Sequence, residues 1–182
     1  SRPLVLTVAD LIAEKYFGEL ERFQPHLEER RKLIHRADLL LVISECTRRD
    51  LIEIHGVPEE RVKVTYLASD MGKASSMRIN ETPSNGDGRP YFLWVGTRSK
   101  YKNFELLLRS YINHPNLHDF DVIVFGGTGP LLEHETEHLA ASGLQDRFHY
   151  RRGDDLVLEQ LYRGAQALIY TSRYEGFGLP PL

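Results

Sequence analysis

Apolar positions along this chain follow two rhythms that take turns. Short unbroken runs rich in Val, Ile and Leu predict strands: "PLVLTV" (Pro3–Val8), "DLLLVIS" (Asp38–Ser44) and "VKVTYL" (Val62–Leu67). Between the first two, "PHLEERRKLIHR" (Pro25–Arg36) sets Leu27, Leu33 and Ile34 on a charged background, the pattern of an amphipathic helix. A second helix, capped by Ser44 or Thr47, carries Leu51, Ile52 and Ile54 and stops at Gly56 ahead of Pro58. From Ala68 the rhythm is lost in "ASDMGKASSMRINETPSNGDGRP", a stretch of Ser, Asn, Gly and Pro that reads as a linker. It resumes with strands over Tyr91–Val95, Asp121–Phe125, Arg147–Tyr150 and Ala167–Thr171, and helices over Asn103–His114, Leu131–Ser142 and Asp155–Gly164.

Continuously apolar strands that alternate with helices imply parallel sheets covered on both faces. The expected organisation is two α/β segments, residues 1–70 and 90–182, joined by a linker over 71–89. Composition narrows the class. The chain has 182 residues, 41% hydrophobic and 27% charged, as in ordinary globular proteins. A net charge of −3 gives no global basic field toward nucleic acid. The single cysteine, Cys46, excludes an internal disulfide framework and fits a reducing cytoplasm. "LVLTV" and "LLLVIS" are too short to span a bilayer, and "SRPLVLTVAD" reads as a strand rather than a secretion signal. A soluble, cytoplasmic protein is expected.

In open parallel sheets ligands bind beyond the carboxyl ends of the strands, so the loops there carry the candidate chemistry. "GTRSKYKN" (Gly96–Asn103) places Arg98, Lys100 and Lys102 before a helix that Asn103 is suited to cap, an arrangement that can clamp phosphate or remain a solvated basic loop. "FGGTGP" has glycines at 126, 127 and 129 but lacks the further glycine of a dinucleotide fingerprint, Leu132 standing there instead; it reads as a tight turn, with a ligand wall as a second role. "RYEGFGLPPL" sets Glu175 among glycines, where a carboxylate can accept hydrogen bonds from ligand hydroxyls or face solvent. Pro180 or Pro181 suits a first helical position after it.

The succession "VGTRSKYKNFELLL", "DVIVFGGTGP" and "LEQLYRGAQALIYTSRYEGFGLPPL" resembles the retaining glycosyltransferases of family 4, and most of all a bacterial mannosyltransferase-like branch that assembles surface polysaccharides. "LVLTVADLIAEKY" and "RADLLLVISECTRRDLIEIHGVPEERVKVTYLASD" resemble the end of that family's first domain. The resemblance implies a GT-B fold of two Rossmann-like domains, each only partly present: the end of the acceptor-side domain, the hinge, and the start of the donor-side domain. The family signature pairs two glutamates with seven residues between them, and counting from Glu175 puts the second at 183, one past Leu182, so an internal segment is expected.

By that resemblance, Arg98 and Lys102 hold the donor pyrophosphate and stabilise the leaving nucleoside diphosphate, with Gly96 turning the chain beside them. Glu175 binds donor-sugar hydroxyls, Gly176, Phe177 and Gly178 face sugar and phosphates, and the Tyr150–Gly153 loop flanks the base. The catalytic candidates are Glu175 and Asp10. Where the family has His-Asp after the first-domain strand, this chain has Ala9-Asp10, and alanine neither hydrogen-bonds nor stabilises charge. The implied activity is transfer of a hexose, mannose first among the options, from a GDP- or UDP-linked donor to a glycan or lipid-linked acceptor with retention. No metal or further cofactor is implied, since no His/Asp/Glu ligand cluster is evident; peripheral membrane association of the full-length protein is. The alternative is a binding segment that keeps nucleotide-sugar affinity and does little or no chemistry.

Overall fold

The structure, a computed structural model, describes residues 2–18, 20–68, 88–127 and 129–181. The expected linker, 71–89, falls outside them apart from residues 88 and 89. Two compact units make up the chain, one holding the described residues up to 68 together with Tyr174–Pro180, the other running from residue 88 to Arg173.

The first unit is built on a parallel sheet in the order β1 (Val5–Val8), β2 (Leu39–Val42), β3 (Val62–Val64). Register pairs Leu6 with Leu40 and Leu40 with Val62, so Leu6, Val8, Leu40, Val42, Val62 and Val64 share one face. That face packs against Ile34 of α2 (Gln24–Arg36) and Leu51 of α3 (Glu45–His55). The other face carries Val5, Thr7, Leu39, Leu41 and Lys63, none of them buried. Coverage of both faces was expected here, and only one is covered among the described residues. The reason is topological: strands added in one direction through right-handed crossovers put every intervening helix on the same side.

Ser44 caps α3, its hydroxyl accepting the Thr47 N–H at 3.1 Å, and the Gly56 N–H closes the helix on Ile52 O at 2.9 Å. One helix was not foreseen. Residues 12–17, read as loop, form α1 (Ile12–Phe17), opened by Asp10, whose carboxylate accepts the Ile12 N–H at 3.0 Å. At six residues it is too short to show a periodic apolar stripe.

The second unit holds a four-stranded parallel sheet in the order β6-β5-β4-β7, with β4 (Tyr91–Val95), β5 (Asp121–Phe125), β6 (Phe148–Arg151) and β7 (Ala167–Leu168). The chain runs β4, β5, β6 in one direction and then returns past β4 to β7. Right-handed crossovers therefore place α4 (Phe104–Asn113) and α5 (Glu133–Ala141) on one face and α6 (Asp155–Gly164) on the other. The cores follow. Trp94, Val122 and Val124 pack with Phe104, Leu107, Leu108, Tyr111 and Leu139, while Leu93, Ile123 and Phe125 pack with Leu161. All five residues of β5 are buried, as its unbroken apolar run implies. Asp154 caps α6 by accepting the Val157 N–H at 3.1 Å. The capping expected of Asn103 is not seen. It sits in the left-handed region (φ 55°) with no side-chain cap bond, a conformation asparagine tolerates better than most residues.

Candidate functional site

In the second sheet the register aligns Val95 with Phe125 and Phe125 with Arg151, so three strands end level and their loops leave side by side. The Gly96 N–H donates to Phe125 O at 3.0 Å and the Gly126 N–H to Arg151 O at 3.2 Å, continuing the ladder one residue into each loop. Beyond this edge lies a cleft of about 350 Å³ lined by Phe125, Gly126, Gly127, Gly129, Tyr150, Arg152 and Gly153. The cleft lies between the loops after β5 and β6, and the strand order reverses one strand over, between β4 and β7. The loops after those two strands are tied together: Thr171 Oγ1 donates to Lys102 O at 2.7 Å, the Arg173 N–H donates to Tyr101 O at 2.7 Å, and the Trp94 indole donates to Thr171 Oγ1 at 3.2 Å.

Glycine is required at 127. Its φ is 76°, and a Cβ there would lie 2.9 Å from Gly96 O and 3.3 Å from Thr97 Cα. The loops after β4 and β5 thus touch backbone to backbone, closer than any side chain would permit. Lys102 folds back across Gly96, its Nζ 3.7 Å from where a Cβ of that residue would stand, and lies 5.6 Å from the Tyr101 ring centroid. Lys100 is exposed. Arg98 points the other way, into the protein, and its side chain is 4% exposed.

The first unit gathers the remaining candidates. Tyr174–Pro180 was expected to belong with the C-terminal segment and instead packs against the loop after β1, α1 and the start of α3. Thr47 Oγ1 donates to Gly176 O at 3.2 Å, and the Ser44 hydroxyl donates to the same carbonyl. Gly176 is pressed on the loop after β1, where a Cβ would stand 2.3 Å from Ala9 O and 2.9 Å from Asp10 Cβ. Asp10 is therefore next to Gly176, with its carboxylate engaged at the start of α1 and its carbonyl taken by Arg30 Nη2. Glu175 is half-buried, Phe177 lies 6.4 Å from the Tyr66 ring, and Gly178 leads into a turn at Pro180 and Pro181 rather than a described helix.

Two residues that sequence reasoning missed, Asp50 and Lys15, hold this segment. Asp50, buried on α3, pairs with Lys15 Nζ at 2.5 Å, and Lys15 lies 4.4 Å from the Tyr174 ring centroid. Burial alone would raise the Asp50 pKa, but the hydrogen bond and charge of Lys15, with the Tyr174 phenol close by, hold it below the ordinary carboxylate value. The buried Tyr174 phenol beside it is pushed well above its ordinary range, by desolvation first and by Asp50 second. Nearby, burial holds His55 below the usual imidazole value although Glu14 Oε1, 3.4 Å away, pulls upward. The Ser44 capping signal was legible; the reach of its hydroxyl to residue 176 was not, since no local pattern encodes a partner 132 positions away.

Parallel α/β sheets with glycine loops at the carboxyl ends of their strands form a class of ligand-binding folds, and this unit belongs to it. The family profile of glycosyl transferases group 1 matches residues 77–182, and the chain belongs to that family. It is 29% identical over 160 residues to the O-antigen chain mannosyltransferase B of Escherichia coli, spanning 80% of this chain and 40% of the relative. Against an uncharacterised glycosyltransferase of Methanocaldococcus jannaschii, identity is 24% over 153 residues, 79% of this chain and 38% of the relative. The chain thus spans about two-fifths of these relatives. Among solved structures, Anabaena HepE in complex with UDP and glucose superposes with a TM-score of 0.72 at 19% identity, covering 98% of this chain and 49% of that one. WaaG, a glycosyltransferase involved in lipopolysaccharide biosynthesis, gives 0.73 at 16% identity, covering 97% and 52%. The fold is of the GT-B type.

Proposed function

We propose that the protein transfers a hexose, mannose in first place, from a nucleotide-sugar donor to a glycan or lipid-linked acceptor with retention of configuration, in the assembly of a surface polysaccharide. The observation that carries this reading is the cleft beyond β5 and β6, whose Gly127 meets Gly96 backbone to backbone, with Lys102 folded across Gly96. Backbone amides and an ammonium next to a glycine-lined opening suit a pyrophosphate, and Tyr150 lines the cleft where a base would sit. Lys102 would stabilise the charge that grows on the leaving diphosphate, the work a divalent ion does elsewhere. Glu175 serves as an acceptor for sugar hydroxyls, and the backbone of Gly176, Phe177 and Gly178 as further polar contacts to the donor. GDP- and UDP-linked donors are the candidates, with no other cofactor, and the setting is the cytoplasm at the membrane's inner face. Among the described residues, no helix is long and apolar enough to cross a membrane.

Ala9 favours a second reading, a nucleotide-sugar-binding protein with weak chemistry. The position is exposed and offers only a methyl group, and Asp10 beside it is engaged at the start of α1. Titration with UDP and GDP, followed by mass spectrometry of acceptor glycans incubated with GDP-mannose and UDP-glucose, separates the two. Binding with transfer supports the first reading, binding without transfer supports the second, and no binding of either nucleotide overturns both.

A further inference from the structure

The three cations of the loop after β4 are used differently. Lys100 is exposed and Lys102 lies across Gly96, whereas Arg98 is turned inward onto Glu135 of α5, the two side chains 4% and 5% exposed. Arg98 Nε lies 3.0 Å from Glu135 Oε2, an ion pair whose N–H is not aimed along a hydrogen-bond line. Nη2 donates to Gly129 O at 2.9 Å and also to Pro130 O. Nη1 is buried with no hydrogen-bond partner among the described residues, and Cζ stands 5.9 Å from the Phe104 ring centroid. Glu135 Oε2 also accepts the Leu132 N–H at 2.6 Å, half of a capping box, since leucine has no side-chain acceptor to complete it.

A guanidinium in this setting is neutralised and shut away from solvent. An incoming phosphate would have to displace a buried carboxylate to reach it, at the cost of leaving that carboxylate unpaired. What Arg98 does hold is backbone. Gly129 lines the cleft, and the same loop is braced at its other end by the contact of Gly127 with Gly96.

We propose that Arg98 and Glu135 form a positioning pair that presets the glycine loop after β5 for the nucleoside, and that Lys102, not Arg98, is the cation contacting phosphate. The proposal rests on the nucleotide-binding reading above and reassigns Arg98 within it. The two roles differ in sign. If Arg98 is a phosphate ligand, removing the competing charge with Glu135→Gln frees it, and nucleoside diphosphates bind more tightly. If the pair positions the loop, the same change loosens the cleft and binding weakens.

The test is calorimetric titration of the full chain with UDP, GDP, uridine and guanosine, with Trp94 fluorescence and circular dichroism to verify folding. Glu135→Gln is expected to weaken the diphosphate that wild type binds by about tenfold, and its nucleoside by the same factor. Arg98→Gln/Glu135→Gln, which leaves no buried charge unpaired and serves if the single variant does not fold, is expected to lose no more than Glu135→Gln, since coupled partners act once. Tighter diphosphate binding in Glu135→Gln overturns the proposal. So does a loss in the double variant confined to the diphosphate with the nucleoside unchanged. If wild type binds neither UDP nor GDP, the functional reading itself fails, and the positioning role with it.

Discussion

In the first unit the chain crosses its sheet in one direction, β1 to β2 to β3, and the buried side chains gather on a single face. In the second it turns back, passing from β6 to β7 on the far side of β4, and both faces are buried. The strands look alike as sequence: "LVLTV" and "DVIVF" are both continuous apolar runs. Yet Val5 is 52% exposed, whereas every residue of β5 is buried. The reversal sends a helix to the second face, so the strands of this sheet are buried on both sides. The two-sided core of the second unit has a topological cause, which the described part of the first unit lacks.

The strongest way to break this contrast is to truncate matched aliphatic residues. Ile123→Ala in β5 is expected to cost about 2–5 kcal/mol through lost burial and the cavity left behind. Val5→Ala in β1 should stay within about 0.5 kcal/mol, as at other exposed positions. Urea titration followed by Trp94, the single tryptophan, reports the second unit, and circular dichroism reports both. A Val5 variant as damaging as the Ile123 one would mean that the open face is covered in solution.

Next in size is ligand affinity. Lys102→Ala is expected to lower UDP or GDP affinity by about one to two powers of ten, the worth of a charge-assisted contact, with Lys100→Ala close to neutral. Asp10→Ala in the first unit should leave nucleotide affinity unchanged. Calorimetry on the three variants checks this, and equal small losses at both lysines would return the loop to a solvated basic surface.

Acid sensitivity sharpens the contrast from the other side. His55 and Asp50, both in the first unit, have folded-state pKa values below their unfolded ones, His55 through burial and Asp50 because its partners outweigh burial. The unfolded chain therefore takes up protons first, and stability is lost as pH falls, from about 6.5 downward for His55 and from about 3.8 downward for Asp50. His55→Gln should flatten the first limb of the stability profile and Asp50→Asn the second, the latter at a cost of about 1–3 kcal/mol at neutral pH. The resolved shifts in the second unit are tyrosines raised by burial, which matter only in alkali. Denaturant midpoints from pH 3 to 8, with Trp94 as the second-unit probe, are the measurement, and a Trp94 transition that weakens first on acidification contradicts it.

The smallest effect expected is at Ala9. On the proposed transfer reading a histidine there acts on charge at the reacting carbon, so Ala9→His should raise turnover, by roughly tenfold or less because the loop was not built around it, with nucleotide affinity unmoved. Product formation beside nucleotide binding tests it. Unchanged turnover in Ala9→His beside full activity in the native protein would remove the first-unit loop from the chemistry.

Much of this was present in the sequence. Strand β4 runs over the residues its apolar run predicts, as do β5 and helix α6, and Ser44 and Gly56 bound α3 as their residue types imply. These are local matters: apolar period, caps and breakers act over a few residues, and the chain spells them out in order. Helix α1 escaped because one and a half turns carry no readable period, and Asn103 escaped because a good capping residue is equally at home in a left-handed turn. Tertiary structure alone decided the rest. It put Gly127 against Gly96, turned Arg98 inward onto Glu135, 37 positions away, and laid Gly176 on the Ser44 and Thr47 hydroxyls. A loop reading "TRSKYK" announces three cations; which of them faces a ligand depends on whether a buried carboxylate waits across the fold, and no local pattern carries that information.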